Sequence, residues 1–190
     1  MAAIALVGMP GSGKSTVGRQ LARRLNWSFV DADAEIERGL GTSIRSHFEQ
    51  HGEASFRDIE QTMLAQMLAQ DRQVLATGGG AVLREANRQL LKSRADVVYL
   101  RSAPEELIRR LRHDTNRPLL QVRDPMRKLR DLFQERDPLY RDAARFVIET
   151  GRPSVKMLAG MILMQLELAG VIDPSQVPSS VSPDRGDGLL

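Results

Sequence analysis

The residues with the clearest chemistry come first in the chain. Gly8-Met9-Pro10-Gly11-Ser12-Gly13-Lys14-Ser15-Thr16 fits G-x-x-x-x-G-K-[ST] in full. The spacing has a physical meaning. Glycines let the backbone curl until successive N–H groups point inward, and a following helix adds its positive N-terminal end. The segment Gly11, Ser12, Gly13, Lys14, Ser15 and Thr16 therefore reads as a cradle for a nucleoside triphosphate. Lys14 would reach the β- and γ-phosphates as a point charge, and the Ser15 hydroxyl would serve Mg²⁺. A GTPase is disfavoured, because no Asn is followed by Lys and no Asp is followed three residues later by Gly. A motor ATPase would close a mid-chain apolar strand with an acid. Here the run Val74 to Thr77 ends in Gly78-Gly79-Gly80.

The acids lie instead in Phe29-Val30-Asp31-Ala32-Asp33, two residues apart at the end of a short apolar run. Such a pair can divide its work: Asp31 toward the metal with Ser15, Asp33 toward an accepting hydroxyl, which it would orient or deprotonate. The plainer alternative makes Asp33 the N-cap of a helix over Ala34 to Leu40 and Asp31 a surface acid. Three successive glycines are tolerated where something must approach the main chain closely, with a tight turn as the alternative. Between Arg101 and Arg145 there are 12 basic and eight acidic residues, mostly a solvated helical face. Arg117-Pro118-Leu119-Leu120 differs, because it interrupts a helical pattern in a loop reaching Asp124-Pro125, and it suggests a lid that brings Arg117 over the phosphates. Arg136, expected at the end of the next helix, could return to the acceptor pocket. His47 and His51 share a helical face but lack the H-E-x-x-H arrangement, which argues against a zinc site.

These residues need a scaffold. Apolar runs at Ala3 to Val7, Ser28 to Val30, Val74 to Thr77, Val97 to Leu100 and Phe146 to Ile148 alternate with helical patterns. The patterns are Lys14 to Leu25, Phe56 to Ala69, Arg84 to Lys92, Pro104 to His113 and Val155 to Leu168. The alternation predicts an α/β fold, a parallel sheet covered on both faces, with ligands beyond the carboxyl ends of the strands. With 190 residues, 42% hydrophobic and 27% charged, one domain can bury a core. There are no cysteines, so disulfides and thiolate metal sites are excluded. The 27 Lys and Arg exceed the 24 Asp and Glu by only three, and with 4% aromatics a nucleic-acid partner is not expected. No stretch reaches the roughly 20 apolar residues of a membrane span. The first residues read as a strand and not a signal peptide, which favours the cytoplasm. The aperiodic segment 173–190, rich in Pro and Ser, reads as a disordered tail.

Taken together, the order GMPGSGKST, FVDADAEIE, Gly41-Thr42-Ser43-Ile44, HGEASFRDIE, LATGGGAVL, RPLL and RDPLYR resembles the shikimate kinases, over residues 3 to 170. The resemblance implies a single P-loop domain, residues 1–172, with a five-stranded parallel sheet and a mobile lid at about 112–124. It implies transfer of the ATP γ-phosphate to the 3-hydroxyl of shikimate, in aromatic amino-acid biosynthesis. ATP would be the co-substrate and Mg²⁺ the metal, held by Ser15 and Asp31. Asp33 would bind substrate hydroxyls as the candidate base. Arg57 and Arg136 would clamp the carboxylate, Gly79 and Gly80 would donate N–H groups nearby, and Glu60 would orient Arg57. Arg117 and Lys14 would act on the phosphates, and Arg110 and Arg152 on the adenine side. The resemblance also implies a monomer, and no heptad or large exposed apolar stripe is evident in the sequence to oppose it. The rivals are a gluconokinase-like small-molecule kinase and a module that binds ATP without transfer. Asp33, Arg57 and Arg136 discriminate, because a pure binder has no use for them.

Overall fold

Five apolar runs form five parallel strands. A computed structural model of the chain describes residues 3–111 and 123–176. The strands are β1 (Ala3–Val7), β2 (Ser28–Asp31), β3 (Gln73–Ala76), β4 (Ala95–Arg101) and β5 (Phe146–Glu149), in the spatial order β2-β3-β1-β4-β5. β1 lies centrally, pairing Ile4 with Val74 on one side and Ala5 with Val97 on the other. The helices are α1 (Lys14–Leu25), α2 (Ala32–Leu40), α3 (Ile44–Met67), α4 (Glu85–Arg94), α5 (Pro104–Leu111), α6 (Pro125–Ala143) and α7 (Val155–Leu168).

Alternation along the strands splits the core in two. Ala3, Ala5 and Val7 face a layer that includes Leu64 of α3, Leu91 of α4, Leu107 of α5 and Leu129 of α6. Ile4 and Leu6 face the layer of Leu21 in α1 and Ile162 in α7. β1 is buried throughout, which is why it reads as an unbroken apolar run. β1 thereby points the phosphate loop, residues 8 to 13, out of the carboxyl edge of the sheet.

Three helices were implied by single residues and not bounded as elements: one over Ala34 to Leu40, one carrying His47 and His51, and one ending near Arg136. They are α2, the first half of α3 and α6, and α3 has a weak period because Gly52, at φ 80 and ψ 172, bends it. α6 is largely polar and carries Pro138 inside it. It begins at Pro125, capped by Asp124 accepting from the Arg127 N–H at 3.0 Å. Arg136 consequently stands within α6, and the reading that placed it at a helix end is corrected. His47 is buried, with Nε2 3.1 Å from Ser55 Oγ. The expected tail begins with a 3₁₀ turn at Pro174–Gln176 behind the buried Ile172. The rest of the tail and the lid segment 112–122, with Arg117, lie outside the described residues. α7 does present an exposed apolar stripe, Met157, Met161, Met164 and Leu168, which the sequence reading did not foresee because the opposite face is apolar as well. No helix among the described residues is long and apolar enough to cross a membrane.

Close helix-to-sheet approach depends on Gly18 in α1, where a Cβ would lie 2.7 Å from the Phe29 ring and 3.2 Å from Leu6. Helix propensity alone favours Ala over Gly by about 1 kcal/mol. Overpacking costs about 1–3 kcal/mol. Gly18→Ala is expected to lower stability in urea denaturation, and an increase would show that Phe29 yields freely.

Candidate active site

The phosphate loop is built by backbone torsions that favour glycine. Gly8, Gly11 and Gly13 have φ of 151°, 83° and 93°. A Cβ on Gly8 would also meet the Leu100 carbonyl oxygen at 2.6 Å. α1 starts at Gly13 with no side-chain cap and no acid in its first turn, so its leading N–H groups remain available to an anion. Lys14 is only 9% exposed and lies across the loop, Nζ donating to the Gly8 and Met9 carbonyls at 2.9 and 3.0 Å. Gly11, Gly13, Lys14, Ser15, Thr16, Asp31, Asp33, Gly79 and Arg110 share a single open cleft of about 570 Å³. Ser12 is buried beneath it.

Ser15 Oγ donates to Asp31 Oδ2 at 2.5 Å, so the two oxygen groups assigned to Mg²⁺ meet across the start of α1 and the end of β2. A hydroxyl and a carboxylate are hard oxygen donors, and the pair fits that ion. Asp31 Oδ1 also accepts from Ala34 N at 3.4 Å and caps α2. The helix cap is thus Asp31 and not Asp33, and α2 starts two residues earlier than the alternative reading had it. That leaves Asp33 in the first turn of α2 with its carboxylate in the cleft.

Asp33 is open to solvent on the cleft side and crowded on the other. Burial raises its pKa above the ordinary 3.8, against the pull of Lys14, and Asp31 adds repulsion. The crowding comes partly from Gly78, whose Cβ would sit 2.6 Å from Asp33 Oδ1 and 3.2 Å from Glu60 Oε1. Gly79 presses on the phosphate loop, its Cβ position 2.7 Å from Pro10 Cδ, and Gly80 lies flat against the Arg57 guanidinium. A Cβ on each of the three glycines would therefore meet a different neighbour.

Arg57 is held from two sides. Its Nη1 donates to Glu60 Oε2 at 2.6 Å, and Nη2 to Glu53 Oε1 at 3.2 Å. Glu60 is 3% exposed, and burial raises its pKa against the opposing charge of Arg57. Removing one partner of such a buried pair is strongly destabilising, so the pair fixes geometry. Arg136 has a buried Nε with no hydrogen-bond partner among the described residues. One turn later the Tyr140 hydroxyl donates to the Gly79 carbonyl at 2.5 Å. Tyr140 was not foreseen, although its place four residues after Arg136 puts both on one helical face.

Arg110 is exposed overall, yet its guanidinium is engaged. Its Nη2 donates to the Thr150 carbonyl at 2.8 Å and its Nη1 to the Ser12 carbonyl at 3.3 Å, so it braces the phosphate loop against the segment after β5. Arg152 is exposed and does not line the cleft.

A phosphate loop over the end of β1, an acid pair beyond β2 and two cations, Arg57 and Arg136, about the buried Glu60 match a small-molecule phosphotransferase of the P-loop class, although Arg57 and Arg136 do not themselves line the cleft. The shikimate kinase family model matches residues 10–167, and the chain belongs to that family. It is 57% identical over 164 residues to a shikimate kinase of Cupriavidus pinatubonensis, covering 86% of this chain and 85% of that one. It is 56% identical over 169 residues to one from Burkholderia pseudomallei, covering 89% and 92%. A solved structure of shikimate kinase from Acinetobacter baumannii, in complex with shikimate, superposes with a TM-score of 0.85 at 47% identity, covering 91% of this chain and 96% of that one.

The raised pKa of Asp33 carries a sign. A carboxyl whose folded pKa lies above its unfolded value adds stability below the unfolded pKa, and that stability is lost as pH rises through the folded pKa. At neutral pH the ionised Asp33 is a cost to the fold. Asp33→Asn should leave the melting temperature at pH 7 equal or higher while turnover falls roughly 10²-fold or more. The acid limb of kcat/KM should lie above the ordinary 3.8. A fall in melting temperature together with normal turnover would contradict both.

Proposed function

We propose that the protein transfers the γ-phosphate of ATP to the 3-hydroxyl of shikimate, giving shikimate 3-phosphate and ADP, for aromatic amino-acid biosynthesis. The observation that carries this reading is the convergence on Gly78–Gly80. Pro10 of the phosphate loop, the Asp33 carboxylate and the Arg57 guanidinium all lie within contact of three residues that have no side chains. Donor and acceptor sites are thereby brought side by side.

The phosphates lie on the N–H groups of residues 11–16, with Lys14 moving from its carbonyl partners to the β- and γ-oxygens. Ser15 and Asp31 would hold Mg²⁺, whose charge would offset that of the phosphates. Asp33 accepts a hydrogen bond from the 3-hydroxyl, aiming its oxygen at the γ-phosphorus, and takes the proton as the bond forms. Burial makes it a better proton acceptor than an ordinary carboxylate. Arg57 and Arg136 bind the substrate carboxylate, and Gly79 and Gly80 present N–H groups beside them. The buried, unpaired Nε of Arg136 suits an anion supplied from outside. Arg117, in the segment 112–124, contributes positive charge to the phosphates. Arg110 and Arg152 border the adenine side, Arg110 through the loop it braces. Residues 1–172 form the catalytic domain, and 173–190 are a dispensable tail.

The acceptor is a small carboxylated polyol and not nucleic acid, consistent with the near balance of 27 basic and 24 acidic residues. One chain supplies every residue assigned here, so a monomer suffices, acting in the cytoplasm. ADP release measured with ATP and Mg²⁺ should respond to shikimate and not to gluconate or nucleoside monophosphates. A preference for gluconate would favour the rival kinase, and no acceptor-dependent release would favour a pure ATP-binding module. In calorimetric titrations Arg57→Leu should weaken shikimate binding roughly 10²-fold, the scale of a lost charged hydrogen bond, and leave ATP binding within about twofold. Equal losses would remove Arg57 from the acceptor site.

A further inference from the structure

The Tyr140 hydroxyl is not accounted for by the chemistry above. Tyr140 is fully buried in α6, its ring 4.9 Å from that of Tyr99 and inclined by 32°. The ring stack and the surrounding core would be equally well served by Phe. Yet the hydroxyl is present and donates to the Gly79 carbonyl at 2.5 Å, 61 residues away in sequence. Burial pushes its pKa up to about 12, so it remains a donor over the whole working pH range.

The acceptor of that bond matters. The Gly79 carbonyl and the Gly80 N–H belong to one rigid planar peptide and point in opposite directions. Neither glycine has a Cβ to resist rotation of that plane, and glycine torsions are the freest in the chain. Its surroundings restrain it: Pro10 packs against Gly79 and Arg57 against Gly80, the Ala81 and Leu83 N–H groups bond the flanking Gly78 and Gly80 carbonyls at 3.1 Å, and the Tyr140 hydroxyl bonds the carbonyl of this peptide itself. A hydrogen bond into the carbonyl also polarises the peptide and strengthens its N–H as a donor. Tyr140 is in turn well anchored. Its stacking partner Tyr99 donates to Asp137 Oδ1 at 2.8 Å, and Asp137 also takes Arg101 Nε and Arg141 Nε, each at 2.9 Å. Arg136, one turn before Tyr140, shares this anchored stretch of α6 and its guanidinium interacts directly with the Tyr140 hydroxyl, so the hydroxyl lies between that cation and the Gly79 carbonyl.

We propose that Tyr140 is a positioning residue for acceptor recognition: its hydroxyl sets the Gly79–Gly80 peptide plane so that the Gly80 N–H is aimed at the substrate carboxylate in fixed register with Arg136. This rests on the reading of Arg57, Arg136 and the glycines as a carboxylate site. The carboxylate is then bound by cations on two elements and by a backbone donor whose direction α6 controls.

The test compares shikimate with its analogue in which the carboxylate is replaced by a hydroxymethyl group, titrated into the full chain and Tyr140→Phe. The variant keeps the ring stack. It should bind shikimate about tenfold more weakly, the scale of an orphaned buried carbonyl and a misaimed donor, with the affinities for the analogue and for ATP within about twofold of the parent. KM for shikimate should rise in step, with kcat nearly unchanged. Tyr99→Phe breaks a hydrogen bond in the same aromatic pair without touching Gly79, and it should leave shikimate affinity within about twofold. Equal weakening of shikimate, analogue and ATP would overturn the proposal in favour of a general packing role, and so would an equal effect of Tyr99→Phe. If the parent binds shikimate and the analogue equally well, the carboxylate site itself is wrong and the inference falls with it. If the parent discriminates and Tyr140→Phe does so to the same degree, the site stands and only the role of Tyr140 falls.

Discussion

Three residues without side chains, Gly78, Gly79 and Gly80, are the point on which the rest of the site depends. At each, an added Cβ would enter a different functional group: Asp33 at the first, the phosphate loop at the second, Arg57 at the third. A parallel sheet naturally brings the carboxyl ends of neighbouring strands to one edge. The glycines let the groups at that edge come within van der Waals reach of one main-chain segment. In-line transfer between two ligands requires that closeness, because a loss of about 1 Å in placement of the reacting groups costs on the order of 10²-fold in rate. Conformational entropy is the cost of so much glycine. It is offset by bonds at both ends of the segment, where Thr77 N and Oγ1 bind the Leu6 carbonyl at 3.1 and 3.0 Å and the Ala81 N–H returns to the Gly78 carbonyl at 3.1 Å.

Charge around this segment is arranged in graded fashion. Arg57 lies between buried Glu60 and exposed Glu53, which fixes its fork while leaving it 12% exposed. Lys14 is bonded to loop carbonyls that a triphosphate would replace. Arg136 alone in this group has a buried, unsatisfied nitrogen. Asp33 faces Lys14 and Arg57 yet keeps a raised pKa, because the desolvation from its walls outweighs their attraction. A carboxylate in that state holds a proton more readily than one in water, a property suited to a group that must accept one. The same surroundings make it a cost to stability, so catalysis and folding oppose each other at this residue.

Much of this was legible in the residue order. The phosphate loop, the acid pair and the glycine run follow strands whose apolar runs are short and uninterrupted, and β1 and α1 occur with the bounds that the pattern gave. α2, the first half of α3 and α6 showed only through the alternative cap at Asp33, the His47–His51 spacing and Arg136, and their bounds were not legible, for reasons particular to them: α2 is short, α3 is bent at Gly52, and α6 is mostly polar with an internal proline. The exposed apolar stripe on α7 escaped notice because a helix apolar on all sides gives no period to follow.

Local chemistry is carried by spacing within a few residues, and this the chain declares alone: G-x-x-x-x-G-K-S after a strand and before a helix reads as a phosphate cradle, and Asp-x-Asp at a strand end separates two carboxylates. Partnership between distant residues is another matter. Whether Asp31 or Asp33 capped α2 was decided by where β2 stopped, because the cap must lie at the turn out of the strand. That Arg110 braces the phosphate loop was decided by the approach of the Thr150 carbonyl from the end of β5. The bond from Tyr140 to Gly79 joins positions 61 residues apart, and no periodicity encodes it. It exists because α6, packed against α4, α5 and β4, carries Tyr140 to the segment after β3, a consequence of packing apolar layers that only the assembled fold determines.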